Sequence, residues 1–130
     1  MAVCFVDPKN SESCRGNLNA DPEFKIAARY MTKDVCIEVG AIKCIVKFRD
    51  GVVTQIQSEN TAPAPWDFAI RASVDAWEKF LMPIPPRFYD SLFAGMIRGN
   101  FRLEGDTIGA FSHFWAVTRM LDVFREFQNK

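Results

Sequence analysis

The stretch SVDAWEKFL (residues 73–81), the proline break at Pro83, Pro85 and Pro86, and then FYDSLFAGMIRG (88–99) and NFRLEGD (100–106) decide the fold. Ser73 is a good N-cap for a short helix through Leu81, and the prolines end it. A second helix is predicted from about Pro86 to Ile97, with Phe88, Leu92, Phe93 and Met96 on its inner face. Gly99 permits a turn into a strand in which Phe101 and Leu103 alternate with Arg102 and Glu104. Gly105 ends that strand and Asp106 caps the helix that follows. The stretch is rich in apolar side chains, and none of its groups is placed to attack a bond.

Beyond Asp106 the spacing predicts one long helix over 107–127. Ile108, Phe111, Phe114, Trp115, Thr118, Leu121 and Phe124 follow the helical period, and Ala110, Val117, Met120, Val123 and Phe127 widen the stripe. So broad an apolar face needs cover on more than one side: a sheet plus another helix, a partner subunit, or a ligand.

Upstream, Val35, Ile37 and Val39 alternate with Cys36 and Glu38, and Ile42, Cys44, Val46 and Phe48 alternate with Lys43, Ile45 and Lys47. A two-residue Gly40–Ala41 turn sets Val39 opposite Ile42, Ile37 opposite Cys44 and Val35 opposite Val46. Glu38 then faces Lys43 on the other side of the ribbon. At Asp50–Gly51 a two-residue turn would spend the core face on Gln55 and Gln57. A three-residue loop of Arg49, Asp50 and Gly51 brings in Val52, Thr54 and Ile56, and is the expected register. Residues 59–65 read as a loop, and Trp66, Phe68, Ile70 and Ala72 read as a fourth strand. Asn19 or Asp21 caps a helix with Pro22 in its first turn, running to about Thr32 and burying Phe24, Ala27, Ala28 and Met31. Residues 1–18 are polar and unpatterned and are expected to form a flexible N-terminal arm, leaving 19–130 as the domain.

Composition narrows the function. The chain of 130 residues fits one domain, and sixteen basic residues balance sixteen acidic ones. No field draws nucleic acid or an anionic surface, and no apolar stretch is long enough to span a membrane. The N-terminus lacks the basic and apolar regions of a signal peptide, so a cytoplasmic location is expected. Cys4, Cys14, Cys36 and Cys44 include no Cys-x-x-Cys pair and share the chain with a single histidine. Neither a zinc site nor a disulfide is expected, and no metal or cofactor. The twelve Phe, three Trp and two Tyr lie mostly after residue 65; they either fill a core or line an apolar cavity.

The segments Asn19 to Phe24, Glu38-Val39-Gly40, Arg49 to Val52, Phe68-Ala69-Ile70, Ser73, Ala76-Trp77, Phe80, Gly99, Phe101 and Glu104-Gly105-Asp106 together resemble the sterol carrier protein type-2-like family, over about residues 18–127. The resemblance implies an α+β domain: a five-stranded, mostly antiparallel sheet covered on one face by helices, with an apolar tunnel between the layers. It also implies non-covalent binding or transfer of a fatty acyl chain, a sterol or a similar molecule, either by a stand-alone carrier or by an accessory domain of an enzyme. Two departures bear on the tunnel mouth: the polar N-terminal arm and the proline-heavy break.

The expected ligand-binding residues are Phe88, Leu92, Phe93, Met96, Phe101, Phe111, Phe114, Trp115 and Thr118, with Arg98 and Arg102 as head-group contacts. The partner is then an apolar small molecule or lipid, with a homodimer or a partner enzyme left open. An acid–base enzyme acting on an apolar substrate would have to use His113 or the Glu104/Asp106 pair. Asp106 stands two helical turns before His113, too far to orient it, and is explained as a cap. No catalytic residue is therefore assigned. Gly-x-Ser-x-Gly, phosphate-loop and dinucleotide fingerprints are all lacking. The other alternative is an interaction module that buries the broad helix against a second subunit.

Overall fold

In the computed structural model, which describes residues 3–59 and 65–130, the strands form one sheet in the order β3-β2-β1-β4-β5. They span Asp34–Val39, Ile42–Arg49, Val52–Glu59, Phe68–Ala72 and Arg102–Gly105, numbered in chain order. β1 and β4 are parallel at the centre, and the other pairings are antiparallel. The helices are α1 Ser11–Ala20, α2 Pro22–Ala28, α3 Val74–Phe80, α4 Leu92–Arg98, α5 Thr107–Ser112 and α6 Phe114–Gln128. Their buried residues join one core with Val35, Ile37, Val39, Cys44, Val46, Phe48, Phe68 and Ile70. The expected α+β class and five-stranded sheet are present.

The first hairpin has the predicted register: Val39 opposite Ile42, Ile37 opposite Cys44, Val35 opposite Val46, and Glu38 opposite Lys43. The opposite face carries a buried row of its own, Ile45, Cys36 and Ala69. Arg71 lies across this side of the sheet. It pairs with Glu38, stands 2.9 Å from Glu104 and packs 5.7 Å from the Trp66 ring.

The second hairpin corrects the sequence reading. Asp50 and Gly51 both have positive φ, 50° and 82°, and form a two-residue turn with Arg49 opposite Val52. A bulge follows: Phe48 pairs with Val53 and Lys47 with Gln55, leaving Thr54 without a partner. The extra residue reverses the alternation, so Val53 and Ile56 both enter the core while Val52 and Thr54 face solvent. Gly51 is required for contact as well as conformation, because a Cβ there would stand 2.8 Å from Arg29 Cα.

The N-terminal segment is not an arm. Two 3-10 turns, Cys4–Val6 and Pro8–Asn10, lead into α1, and Val3, Phe5, Val6, Cys14 and Leu18 are buried. Met1 and Ala2 lie outside the described residues. Phe5 stacks on Phe124 at 4.4 Å and meets Trp77 edge-on at 5.5 Å. The Cys4 N–H donates to Gln128 Oε1 at 2.8 Å. At the other end of α1, Asn19 replaces a strand partner for Val53, donating to its carbonyl and accepting from its N–H, both at 2.9 Å. A single apolar pair, Cys14 and Leu18, thus anchors a polar helix whose remaining ties are specific hydrogen bonds. The domain therefore includes residues 3–18.

Asp21 caps α2 by accepting from the Phe24 N–H at 2.8 Å, and Arg119 of α6 grips the same carboxylate through Nε and Nη2 at 2.8 and 2.7 Å. α2 ends at Ala28, short of Thr32, because Tyr30 turns left-handed (φ 70°); Met31 is nevertheless buried. Of the loop expected at 59–65, Glu59 belongs to β3 and residues 60–64 lie outside the described residues.

Two of these contacts can be tested through stability. Phe5→Ala empties the place between Trp77 and Phe124 and lowers unfolding free energy by about 3–5 kcal/mol, read from urea denaturation. The Arg119 guanidinium, helped by the Phe24 N–H, holds the Asp21 carboxyl below its ordinary range. Its stabilisation is therefore complete above the ordinary carboxylate pKa and is lost as pH falls through the lowered one. Asp21→Asn should cost about 1–3 kcal/mol at neutral pH, and the gap to wild type should close on acidification.

Candidate functional site

α4 begins later than the sequence suggests. The double proline and a left-handed Phe88 (φ 73°) keep the chain irregular after α3, and Ser91 starts the helix by accepting from the Ala94 N–H at 3.1 Å. This start turns Leu92 and Gly95 inward, with Met96 partly buried, and leaves Phe93 and Ile97 outside. Gly95 allows Phe101 close approach: a Cβ there would stand 2.8 Å from the Phe101 ring. Arg125 ties the irregular segment to α6, donating to the Phe80 carbonyl at 2.8 Å and to the Tyr89 carbonyl at 3.4 Å.

The long C-terminal helix is in fact two. Asp106 caps α5 by accepting from the Gly109 N–H at 2.9 Å, and α5 stops at Ser112, whose hydroxyl donates back to the Ile108 carbonyl. His113, with φ −115° and ψ 25°, stands at the break, and α6 starts at Phe114. The Phe111 and Phe114 rings stack across the junction at 5.3 Å.

The expected ligand residues therefore separate into three groups. Leu92 and Phe101 are core. Phe101 lies 4.9 Å from Trp77, 5.3 Å from Phe80 and 6.4 Å from Tyr89. Trp77, Phe80 and Phe101, with Phe5 and Phe124, are at most 3% exposed. These rings pack against one another. Phe88, Met96, Phe114 and Thr118 are partly buried. Phe93, Phe111 and Trp115 are 56%, 50% and 57% exposed, and Ile97 and Ile108 beside them in sequence are 62% and 81% exposed. The outward faces of α4, α5 and the first turn of α6 are thus apolar where a soluble surface is ordinarily polar.

The two head-group arginines have different surroundings. Arg102 pairs with Glu104 at 3.4 Å and, with Arg71, Glu38, Ser73 and Asn100, lines a polar cleft of about 540 Å³. Arg98 lies over the Phe88 ring at 5.7 Å, and Arg87, which the sequence reading passed over, lies over the same ring at 4.9 Å. Adjacency to Phe88 was the only signal for Arg87. Phe5 and Ile97 were also missed; for Phe5 the signal was the apolar run Val3-Cys4-Phe5-Val6.

The titratable groups are engaged structurally. Asp106 also receives Lys33 Nζ at 3.1 Å, so its carboxylate is occupied and does not orient His113. Burial pushes the Cys14 thiol up to about 12 and raises Cys36 and Cys44 as well, leaving all three poor nucleophiles at neutral pH. Among the described residues no group of three or more His, Cys, Asp or Glu side chains could hold a metal, and no helix is long and apolar enough to cross a membrane.

Three solved structures share this arrangement. A crystal structure of sterol carrier protein 2 superposes with a TM-score of 0.71 at 19% identity, covering 88% of this chain and 92% of the other. The solution structure of a conserved hypothetical protein from Thermus thermophilus, suggested to be a sterol carrier protein, gives 0.71 at 16% identity over 96% and 90%. UbiJ-SCP2, a ubiquinone synthesis protein, gives 0.59 at 19% identity over 98% and 97%. No family model and no curated protein matches the chain. At these identities the likeness establishes the fold: it is that of sterol carrier protein 2.

The thiol environments give a direct check. Under native conditions at neutral pH a thiol reagent should modify no more than the part-exposed Cys4, and Cys14, Cys36 and Cys44 should react only after unfolding, as read by intact mass.

Proposed function

We propose that this protein binds an apolar, lipid-like molecule without forming a covalent bond, on the outward apolar side chains of α4, α5 and the start of α6. The fold shared with sterol carrier protein 2 supports this reading. The observation that carries it is the exposure of Phe93, Ile97, Ile108, Phe111 and Trp115 on consecutive helices of one domain. Each contributes a large area that water solvates poorly, and an acyl chain laid against them releases that water. Burial of ten methylenes is worth about 8 kcal/mol before ordering costs, and micromolar affinity takes about 8 kcal/mol after them, so the reading calls for a chain longer than ten carbons. The ligand's place is thus the surface of the helical layer, beside rings that are already packed. On this reading the chain works in the cytoplasm as a carrier or holder and not as an enzyme.

The likeness to a ubiquinone synthesis protein favours a second reading, in which the same surface docks the chain onto a partner enzyme or a second copy as an accessory module.

Delipidated protein titrated with a fluorescent fatty acid should give saturable micromolar binding, with a change in Trp115 emission and loss of affinity in Trp115→Ala. No saturable binding up to about 100 µM, a concentration matching only some 5 kcal/mol of affinity, would remove the lipid reading. A stable dimer in light scattering that dissociates on Phe111→Ser would favour the accessory reading instead.

A further inference from the structure

Phe88 gathers two positive charges. The guanidinium carbons of Arg87 and Arg98 lie 4.9 and 5.7 Å from its ring centroid, within cation–π range. The residue that holds them is itself constrained. Its φ of 73° is uncommon for a non-glycine residue, and its carbonyl packs against Gly99, where a Cβ would come within 2.8 Å of it. Backbone conformations of this kind persist where the surroundings impose them, often at ligand clamps.

Arg119, Arg125 and Arg71 each have a carboxylate, Asp21, Asp122, and Glu38 with Glu104 respectively, whereas Arg29 lies over the single ring of Tyr30 at 5.8 Å. With the described residues the side chains of Arg87 and Arg98 make neither an ion pair nor a hydrogen bond, and both are exposed. Two guanidinium groups on one ring repel each other, and an anion shared between them reverses the sign of that interaction.

The position of the pair relates it to the apolar surface. Arg98 is the last residue of α4, the helix that exposes Phe93 and Ile97. With a rise of about 1.5 Å per residue, Phe93 lies some 7 Å along the axis from Arg98. That is the span of a few methylenes.

We propose that Arg87 and Arg98, set by Phe88, receive the anionic head group of a single-chain amphiphile, a carboxylate or a phosphate monoester, whose chain runs along Phe93 and Ile97. The pair replaces Arg98 with Arg102 as the head-group contact, since Arg102 is engaged by Glu104 on the polar cleft. The inference rests on the lipid-binding reading above.

The test compares a long-chain fatty acid with the alcohol of equal chain length, on wild type and on R87Q/R98Q. Wild type should bind the acid about tenfold more tightly than the alcohol, the order expected for a charge-assisted pair. The double variant should lose that preference and keep its affinity for the alcohol. R87K/R98K, which keeps both charges, should retain part of it. Equal affinities in wild type, or an acid preference that survives in R87Q/R98Q, would overturn the head-group site while the alcohol still reports an intact lipid surface. Failure of both chains to bind would overturn the lipid reading along with it. Inorganic phosphate and acetate titrated alone separate a lipid head group from a free anion. Saturation by either as tightly as by the fatty acid would reassign the pair to small anions and end the amphiphile proposal.

Discussion

The Trp77 side chain is where the parts of this fold meet. The indole is fully buried, so its N–H needs a partner, and it finds the Glu38 carbonyl at 2.9 Å. That bond fixes α3 over β1, and the ring then becomes the surface on which other elements pack: Phe5 from the N-terminal segment, Phe80 from α3 and Phe101 from the approach to β5. A large ring with one polar atom orients its neighbours more strictly than an aliphatic side chain of equal area could. The edge-on contacts at Trp77 and the parallel stack of Phe5 on Phe124 are its consequences.

Filling the interior with rings displaces the apolar surplus outward. The family resemblance implied an apolar tunnel, and part of the lining expected for it is core: Leu92 and Phe101 are taken up by packing. Phe88, Met96, Phe114 and Thr118 are partly buried, and Phe93, Phe111 and Trp115 stand exposed on α4, α5 and the start of α6, helices whose inner faces are already in contact with the core. A ligand on such a surface would gain area without a large rearrangement of the layer beneath, at the cost of remaining partly open to water.

The first hairpin was legible because seven apolar residues lie on one face and a single register serves them all. The caps at Asp21, Ser73, Ser91 and Asp106 are side-chain chemistry acting over three residues: Ser73 and Asp106 were read correctly, Asp21 was one of two candidates with Asn19, and Ser91 was missed. The bulge at Thr54 was not, since periodicity assumes one residue opposite one and a bulge changes that count. The weak amphipathicity of α1 hid it too: Cys14 and Leu18 are its apolar anchors, and the bonds from Asn19 to Val53 join residues far apart in the chain. The break at His113 and the outward turn of Phe93 both depended on where a helix starts or stops, where a shift of a few residues moves a side chain from one face to another. For the candidate site, the residue types were legible and their exposure was not.

The stacking of Phe5 on Phe124, with Cys4 bonded to Gln128, joins segments from opposite ends of the sequence. During synthesis the Phe5 ring leaves the ribosome long before Phe124, and its slot is complete only when α6 has been translated. Phe5 is therefore among the last core residues of this domain to settle, and until then an unfinished aromatic face remains available to chaperones and to neighbouring chains.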